Sequence, residues 1–311
     1  MDTADVQRFE ANRDRLASIA YRMLGSAADA EDVVQDAYLR WQAADHQRIE
    51  VPEAWLTKVV TNLAVDRLRS AKTRHERSVG DWMPEPLLDG DPMLGPADTV
   101  EQRESVTLAM LTLMEHLSPV ERAVYVLREA FAHSHAEVAE ILEISLAASQ
   151  QHAHRARRRL AEKETVSQVD EASARRIVEA FVDAASSGRT EQLVALLTSD
   201  AAGVSDGAGL FDKLLWSTDP QRLSTMLRAG FKATPAKRRL AGGSPVLYSG
   251  MVNGSPAAVA TVDDQVVGVV VLQLRGEQIA FVRGIANPAR LTRITAEWRR
   301  QQHDSPIIES W

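Results

Sequence analysis

Cysteine is absent from the sequence, and its absence excludes several kinds of site. A chain of 311 residues without cysteine forms no disulfide, offers no thiolate nucleophile and builds no thiolate zinc site. Long uncharged apolar runs are also missing: no stretch approaches the ~18 residues of a membrane span, and the first residues lack the basic and apolar segments of a signal peptide. We therefore expect a cytoplasmic protein without a membrane segment, a metal or a cofactor.

Aromatic residues are few, at 5%, yet the composition is that of a globular protein, with 45% hydrophobic and 25% charged residues. At roughly 150 residues per domain, the length predicts two domains. The chain is acidic, with a formal net charge of -7. This balance argues mildly against a nucleic-acid partner unless the basic residues cluster, because phosphate binding needs a local excess of lysine and arginine.

The first half of the chain carries helical periodicity. Apolar residues at helical spacing predict three helices within residues 1–78, which would form a small bundle. The periodicity resumes after residue 104, where two short helices joined by a tight turn, the second over about 147–161, have the arrangement of a helix-turn-helix. We predict two all-α domains, over 1–78 and 104–164.

The other segments have different patterns. Residues 79–103 hold four prolines, three glycines and several carboxylates, which predicts an acidic, extended linker. From residue 168, helical segments give way to β-rich runs separated by hairpin-length turns, so we predict an α+β domain over 168–292. The tail, 293–311, is predicted to be a surface helix followed by a mobile end.

Basic residues cluster at the ends of both helical domains, with six in 58–77 and five in 155–163. Either cluster alone could be a solvated helix end whose cations complement the helix dipole. The second cluster, however, lies on the predicted recognition helix, and each cluster closes a helical domain. Nucleic acid is therefore the favoured partner, because arginine pairs with phosphate or guanine and neighbouring glutamine or histidine can read base edges.

Several motifs in this half occur in the order of a known family. Residues 29–41, DAEDVVQDAYLRW, and 55–69, WLTKVVTNLAVDRLR, are followed by LSPVERAV at 117–124 and HAEVAEIL at 135–142. Together they resemble the extracytoplasmic-function RNA polymerase sigma factors, over residues 6–162. The resemblance implies an alternative sigma factor that binds core RNA polymerase and directs promoter-specific transcription initiation.

The resemblance implies three sets of binding residues. Asp29, Asp32 and Asp36 also recur at spacings of three and four, which gathers them on one exposed stripe suited to a basic partner. The implied polymerase-binding residues are Asp29, Asp32, Gln35, Asp36, Tyr38 and Arg40. Those for the promoter −10 element are Lys58, Asn62, Asp66, Arg67, Arg69, Arg74 and Arg77. Those for the −35 element are His135, Gln150, Gln151, His152, His154, Arg155, Arg157 and Arg158.

Two departures from the family pattern fall in the helix-turn-helix. The run 148–152, ASQQH, stands where the family has a sequence like Thr-Val-Lys-Ser-Arg, so the −35 sequence that it reads is not predicted. Glu143 stands where the turn commonly has glycine. We therefore expect a non-glycine residue to accept strained dihedral angles there.

The C-terminal domain is similar to SnoaL-like domains, which are cone-shaped α+β folds. Sigma factors with this extension form a subgroup, and three of its motifs correspond here to WMPEP at 82–86, SDGAG at 205–209 and NPARL at 287–291. The resemblance implies that the extension modulates sigma activity. We predict that the linker motif, 82–86, contacts the domain around Asp206. The implied regulatory residues are Trp82, Pro84, Glu85, Pro86, Asp206, Gly207, Asn287 and Pro288.

Two alternative functions stay open at this point. A non-sigma helix-turn-helix regulator would bind duplex operator DNA without polymerase, and a SnoaL-type cyclase or hydratase would turn over a small substrate. Asp206 alone could serve as a base, but His303 is the only histidine beyond residue 168 and there is no thiol. We therefore predict no catalytic residue and no metal ligand, and prefer a regulatory or ligand-sensing pocket that could take a small ligand.

Overall fold

Two units make up the protein, which a computed structural model describes at residues 3–73, 82–160, 167, 169–211 and 213–311. The first unit comprises Met1–Glu85 and Gly90–Lys163, and the second comprises Pro86–Asp89 and Glu164–Trp311. The predicted fold class, two all-α domains followed by an α+β domain, is confirmed. Both all-α domains belong to the first unit.

Three long helices open the first unit: α1 (Thr3–Leu24), α2 (Ala27–Ala43) and α3 (Pro52–Thr73). Gly25, at a φ of 64°, ends α1, because glycine adopts the left-handed conformation without a Cβ penalty. The Ser26 side chain then accepts a hydrogen bond from the Asp29 amide and caps α2. The buried residues of α1 and α2 follow the predicted apolar faces, so periodicity and caps explain this bundle.

The remaining helices of the first unit are α4 (Val100–Glu104), α5 (Leu108–Leu113), α6 (Pro119–Tyr125), α7 (His135–Leu142) and α8 (Leu146–Leu160). A π-helical turn over Val126–Ala130 follows α6. Helices α7 and α8 form the predicted helix-turn-helix, with a core of Val124, Leu127, Val138, Ile141 and Ala153. The first turn of α4 lies inside the segment predicted to be linker.

A buried arginine ties α1 to the segment before α5. The Arg22 side chain is fully buried, and its Nε donates to Ser105 Oγ at 2.9 Å. Burial lowers the pKa of Arg22 to about 9. The Phe131 ring stacks under both Arg22 and Arg15, with the guanidinium carbons 5.3 and 5.5 Å from its centroid. These contacts join the two helical domains into one unit.

The second unit is a six-stranded sheet with helices packed against it. Its strands, β1 (Leu197–Ser205), β2 (Leu215–Ser217), β3 (Val246–Val252), β4 (Ser255–Val262), β5 (Gln265–Arg275) and β6 (Gln278–Ile285), lie in the order β2-β1-β6-β5-β4-β3. The β1–β6 pair is parallel and the other pairs are antiparallel. Its helices are α9 (Glu171–Ser186), α10 (Thr190–Ala195), α11 (Pro220–Phe231), α12 (Pro235–Ala241) and α13 (Thr292–Trp298).

The core of this unit lies between α9, α11 and the sheet. Phe181 and Phe231 meet edge to face, with ring centroids 5.5 Å apart, and pack with Leu272 and Val282. A Cβ on Gly203 would lie 2.6 Å from Leu223 Cδ1, so α11 packs closely against β1 at this residue.

The C-terminal tail differs from its prediction. Instead of a mobile end, it packs onto the domain: Leu247 forms a β-bridge with Ile308, and Trp311 Nε1 donates to the Phe231 carbonyl at 2.7 Å. Within α13, Ile294 and Trp298 are buried. The physical reason is that the polar tail ends in apolar side chains, Ile307, Ile308 and Trp311, which pack against the core.

Glu121 is the carboxylate that holds α6 to α8. Its side chain is 4% exposed, accepts from the Ser118 amide in a capping box and from Arg155 Nε at 2.9 Å, and pairs with Arg159. Burial alone would raise its pKa, but the Ser118 amide and Arg155 outweigh burial and lower it. Glu121 is therefore a structural anion.

Replacing Glu121 with alanine should destabilise the first unit by about 2 kcal/mol, because the change removes a cap and leaves two arginines without their carboxylate. Thermal unfolding of the full chain, followed by circular dichroism, measures this loss. Glu140→Ala, at an exposed position of α7, is the matched control and should change stability much less. Equal losses for the two variants would contradict the assignment.

Candidate functional site

The exposed face of α2 carries the residues predicted to bind polymerase. Asp32, Gln35, Asp36 and Arg40 are exposed, while Asp29 and Tyr38 are half-buried. The face also holds Leu39, which is 53% exposed. Sequence reasoning missed Leu39 because its apolar side chain predicts burial, whereas its position between Tyr38 and Arg40 is off the buried stripe. The face combines carboxylates with one large apolar side chain.

Arg67 of α3 pairs with this face. Its Nη2 lies 2.5 Å from Asp29 Oδ1 and 3.0 Å from Asp32 Oδ2. Burial would lower the pKa of Arg67, but the two carboxylates raise it. A residue predicted to bind the −10 element therefore neutralises two residues predicted to bind polymerase. Further along α3, Asp66 and Arg69 are exposed and 3.4 Å apart, while Arg74 and Arg77 lie outside the described residues.

Two more of the predicted −10 residues contact the turn of the helix-turn-helix. Asn62 Nδ2 donates to the Ile141 carbonyl at 3.3 Å, and Lys58 Nζ lies 2.9 Å from Glu143 Oε1. Glu143 has φ 54° and ψ 44°, so the expected left-handed conformation is confirmed. The pairing with Lys58 lowers the pKa of Glu143. Two side chains of α3 that are predicted to bind DNA therefore contact other residues of the protein instead.

Part of the predicted −35 set has structural partners within the helix-turn-helix domain. His135 Nδ1 lies 2.9 Å from Ser149 Oγ, which joins α7 to α8. Arg155 Nη2 lies 2.8 Å from His152 Nδ1 in addition to its pair with Glu121. Arg157 pairs with Glu129 at 2.7 Å.

The rest of that set faces outward from α8. Gln150, Gln151, His154 and Arg158 are exposed, while Ser149, Ala153, Ala156 and Leu160 form the buried side of the helix. Exposed glutamine, histidine and arginine on the second helix of a helix-turn-helix can reach base edges and phosphates. These four side chains are the better candidates for DNA contact.

The linker motif packs against the junction of α1 and α2. Ser26 Oγ donates to Glu85 Oε1 at 2.7 Å and the Ala27 amide donates to Glu85 Oε2 at 2.9 Å. A Cβ on Gly25 would collide with the Trp82 ring. Burial raises the pKa of Glu85, and the hydrogen bonds from Ser26 and Ala27, which lower it, do not outweigh this effect. Glu85 thus caps the first turn of the candidate polymerase-binding helix; Pro84 and Pro86 are buried.

The next residues of the chain pack against the β3–β4 hairpin in the second unit. The Leu87 amide donates to Asn253 Oδ1 at 2.9 Å, and the Asn253 amide donates to the Leu87 carbonyl at 3.0 Å. The Gly254 amide donates to Asp89 Oδ1 at 2.8 Å. Asn253 is fully buried and was not singled out from the sequence, although Asn253-Gly254 between two β-rich runs is a strong hairpin signal.

The Asp206 loop, 205–209, is the SDGAG motif, and its hydrogen bonds connect it to the start of the NPARL motif, 287–291. Asp206 is 4% exposed and accepts from the amides of Ala208 at 3.1 Å, Ala286 at 2.9 Å and Asn287 at 3.0 Å. Asn287 in turn caps the single turn Pro288–Arg290. The structure therefore brings Asp206 and Gly207 together with Asn287 and Pro288. The predicted contact between Trp82 and this loop stays a prediction.

Within the described residues, His, Asp and Glu side chains form no group of three or more that could hold a metal ion. Nor does any described helix have the length and apolarity to cross a membrane.

Comparison with known proteins identifies the family. Residues 8–74 match Sigma-70 region 2, and residues 107–160 match Sigma-70, region 4. A probable ECF RNA polymerase sigma factor, SigI of Mycobacterium tuberculosis, is 30% identical over 294 residues, which are 93% of this chain and 95% of that protein. This chain belongs to the ECF RNA polymerase sigma factors.

A second relative supports the same conclusion for this sigma factor. The ECF RNA polymerase sigma factor SigJ of Mycobacterium tuberculosis is 40% identical over 206 residues, 66% of each chain. The crystal structure of SigJ matches with a TM-score of 0.67 at 29% identity, covering 93% of this chain and 98% of that one. The likeness extends over the helical domains and the C-terminal domain.

Removing the charge of Glu143 should release Lys58. We expect Glu143→Gln to bind single-stranded −10 DNA roughly threefold more tightly, since the variant lacks the surface ion pair that competes for the lysine. Fluorescence anisotropy with the full chain measures this affinity, and the difference from wild type should shrink at high salt.

Glu140→Gln is the matched control, because Glu140 is exposed and lies three residues earlier, near the end of α7. If Glu143→Gln bound no more tightly than this control, Glu143 would not restrain Lys58.

Proposed function

We propose that this sigma factor binds core RNA polymerase through the exposed face of α2 and binds promoter DNA through α3 and α8. The observation that carries the proposal is the α2 face, where Asp32, Asp36 and Leu39 are exposed together within the part of the chain that matches Sigma-70 region 2. Carboxylates around an apolar side chain suit a basic protein surface with an apolar centre. Because core polymerase and promoters meet in the cytoplasm, the protein acts there.

DNA binding divides between two helices. On α8, Gln150, Gln151, His154 and Arg158 read the −35 element, since they are exposed on the recognition helix. On α3, Lys58, Asn62 and Arg67 serve the −10 element. These three side chains have protein partners in the structure, so promoter binding requires an exchange of partners.

In this exchange of partners, each charged group leaves one partner of opposite charge and gains another. Phosphates replace Glu143 beside Lys58, and basic polymerase groups replace Arg67 beside Asp29 and Asp32. Ion pairs that solvent reaches contribute little to stability, so several new contacts in the transcription complex outweigh them. The intramolecular pairs therefore restrain the free protein without preventing its activity.

The C-terminal domain modulates the sigma activity rather than acting as an enzyme. Support comes from Asp206, whose two carboxylate oxygens accept three backbone amides and so join two loops of the domain. The domain acts on the linker: the β3–β4 hairpin holds Leu87 and Asp89, directly after the residues that contact α2. A small ligand of the domain would act by changing this hold.

Transcription with purified core polymerase tests the proposal. Full-length protein and core enzyme should initiate transcription from specific members of a promoter library, and neither alone should do so. No transcription from any promoter, together with binding of duplex operator DNA by the chain alone, would instead favour a helix-turn-helix regulator that needs no polymerase.

Asp36→Arg should weaken core-polymerase binding by about tenfold or more, because it places a cation against a basic surface. Titration of labelled protein with core enzyme measures the affinity, and run-off transcription should fall in parallel. Glu31→Arg makes the same charge change on another side of α2 and is the control. Equal losses for both variants would mean that net charge, rather than this face, governs binding.

A further inference from the structure

The C-terminal domain carries a stretch of the chain without any acidic residue. Between Asp219 and Asp263 there is no aspartate or glutamate, although the whole chain has a formal net charge of -7. The same stretch contains six cations on or beside α11 and α12: Arg222, Arg228, Lys232, Lys237, Arg238 and Arg239. We call these residues the α11–α12 surface.

Five of the six cations are exposed, and Lys237 is half-buried. Lys237 Nζ caps α11 by donating to the carbonyls of Gly230 at 2.7 Å and Lys232 at 3.1 Å. Arg228 donates to Thr190 Oγ1, and Arg238 Nε donates to the Trp311 main-chain oxygen at 3.1 Å. Among the described residues, none of the six pairs with an aspartate or glutamate side chain.

Other arginines of the same domain are paired. Arg175 lies 2.8 Å from Glu179, Arg275 lies 3.0 Å from Asp200, and Arg189 pairs with Asp183. In the part of the chain that the structure describes, several other arginines of the domain thus pair with carboxylates, whereas no ion pair joins the cations of α11 and α12 to an aspartate or glutamate. Unneutralised cations repel one another, so a surface that collects them is suited to a polyanion.

The helices hold this surface outward. Leu223, Leu227 and Phe231 anchor α11 in the core, whereas α12 has no buried residue and lies entirely on the surface. Four of the six cations are arginines, whose planar guanidinium groups pair with phosphate through two parallel hydrogen bonds. The repeated phosphates of a polyanion are suitable ligands for such exposed cations.

We propose that the α11–α12 surface binds the sugar-phosphate backbone of duplex DNA, independently of base sequence. The inference deepens the proposed function, on which the choice of DNA over an acidic protein rests, since a promoter-binding protein works beside duplex DNA. The C-terminal domain then adds a DNA contact outside the −10 and −35 elements. This contact increases the affinity for DNA and the salt dependence of binding, while the helical domains determine which promoter is bound.

The test uses the full chain and a fluorescent duplex of about 30 base pairs, with random sequence and without promoter elements. The triple variant Arg222→Gln, Lys232→Gln, Arg239→Gln removes three cations of the surface. The matched control, Arg175→Gln, Arg189→Gln, Arg275→Gln, removes three paired arginines from the same domain and changes the net charge equally.

We expect the surface variant to bind this duplex about tenfold more weakly than the control, with a salt dependence reduced by about 0.9 per lost phosphate contact. A second version that carries lysine at 222 and 239 and keeps Lys232 should restore binding, which separates loss of charge from misfolding. Equal affinities of the surface variant and the control would overturn the proposal.

Two further measurements distinguish DNA binding by this surface from binding of an acidic protein and from the sigma function itself. If the surface variant lost affinity for core polymerase but kept its DNA binding, the surface would bind an acidic protein and the proposal would be wrong. On a short promoter template the surface variant should transcribe as wild type does. Absence of transcription by the wild-type protein would overturn the proposed sigma function instead, while the duplex-binding result would stand by itself.

Discussion

The contact between α3 and the turn of the helix-turn-helix is the constraint that governs how α3 can be used for DNA binding. Asn62 bonds the Ile141 carbonyl and Lys58 pairs with Glu143, so the helix assigned to the −10 element is held by the domain assigned to the −35 element. Under the proposed assignments, Lys58 and Asn62 cannot contact the −10 element while they contact this turn. We therefore propose that promoter binding requires this contact to open.

The carboxylates of α2 and the linker also contact other residues of the protein. Arg67 neutralises Asp29 and Asp32, and Glu85 caps the start of the same helix. The chain then continues into Leu87 and Asp89, which the β3–β4 hairpin holds. These groups, several of them assigned to a macromolecular partner, are satisfied within the protein, so they are not left buried and unpaired before the partner arrives.

Much of the fold follows from local sequence. Apolar periodicity predicted the three helices of the bundle and the two short helices of the helix-turn-helix. Strand β1 was missed because Leu197–Ser205 has a polar centre and lacks apolar alternation, and it is stabilised by parallel pairing with β6, some eighty residues away in sequence. The left-handed Glu143 could be predicted from the departure from glycine, but its pairing with Lys58 could not, because that contact joins separate domains.

In the candidate site, too, local sequence predicted some features, whereas others depend on tertiary contacts. Helical spacing placed Asp32 and Asp36 on one face, yet it could not reveal that Arg155 and Arg157 are engaged by Glu121 and Glu129. Such pairs depend on tertiary packing, and residue type alone does not distinguish a structural arginine from one that binds DNA. The ion-pair partners in the structure make that distinction, and exposure in the structure revealed Leu39.

A distance measurement between α3 and α8 tests most directly whether the contact between α3 and the turn of the helix-turn-helix opens on promoter binding. Because the chain has no native cysteine, spin labels can be attached at Ser70→Cys and Ala147→Cys, both exposed positions, without background labelling. We predict one short distance in the free protein and a longer one in the complex with core polymerase and promoter DNA. An unchanged short distance in a complex that is active in transcription would contradict this prediction.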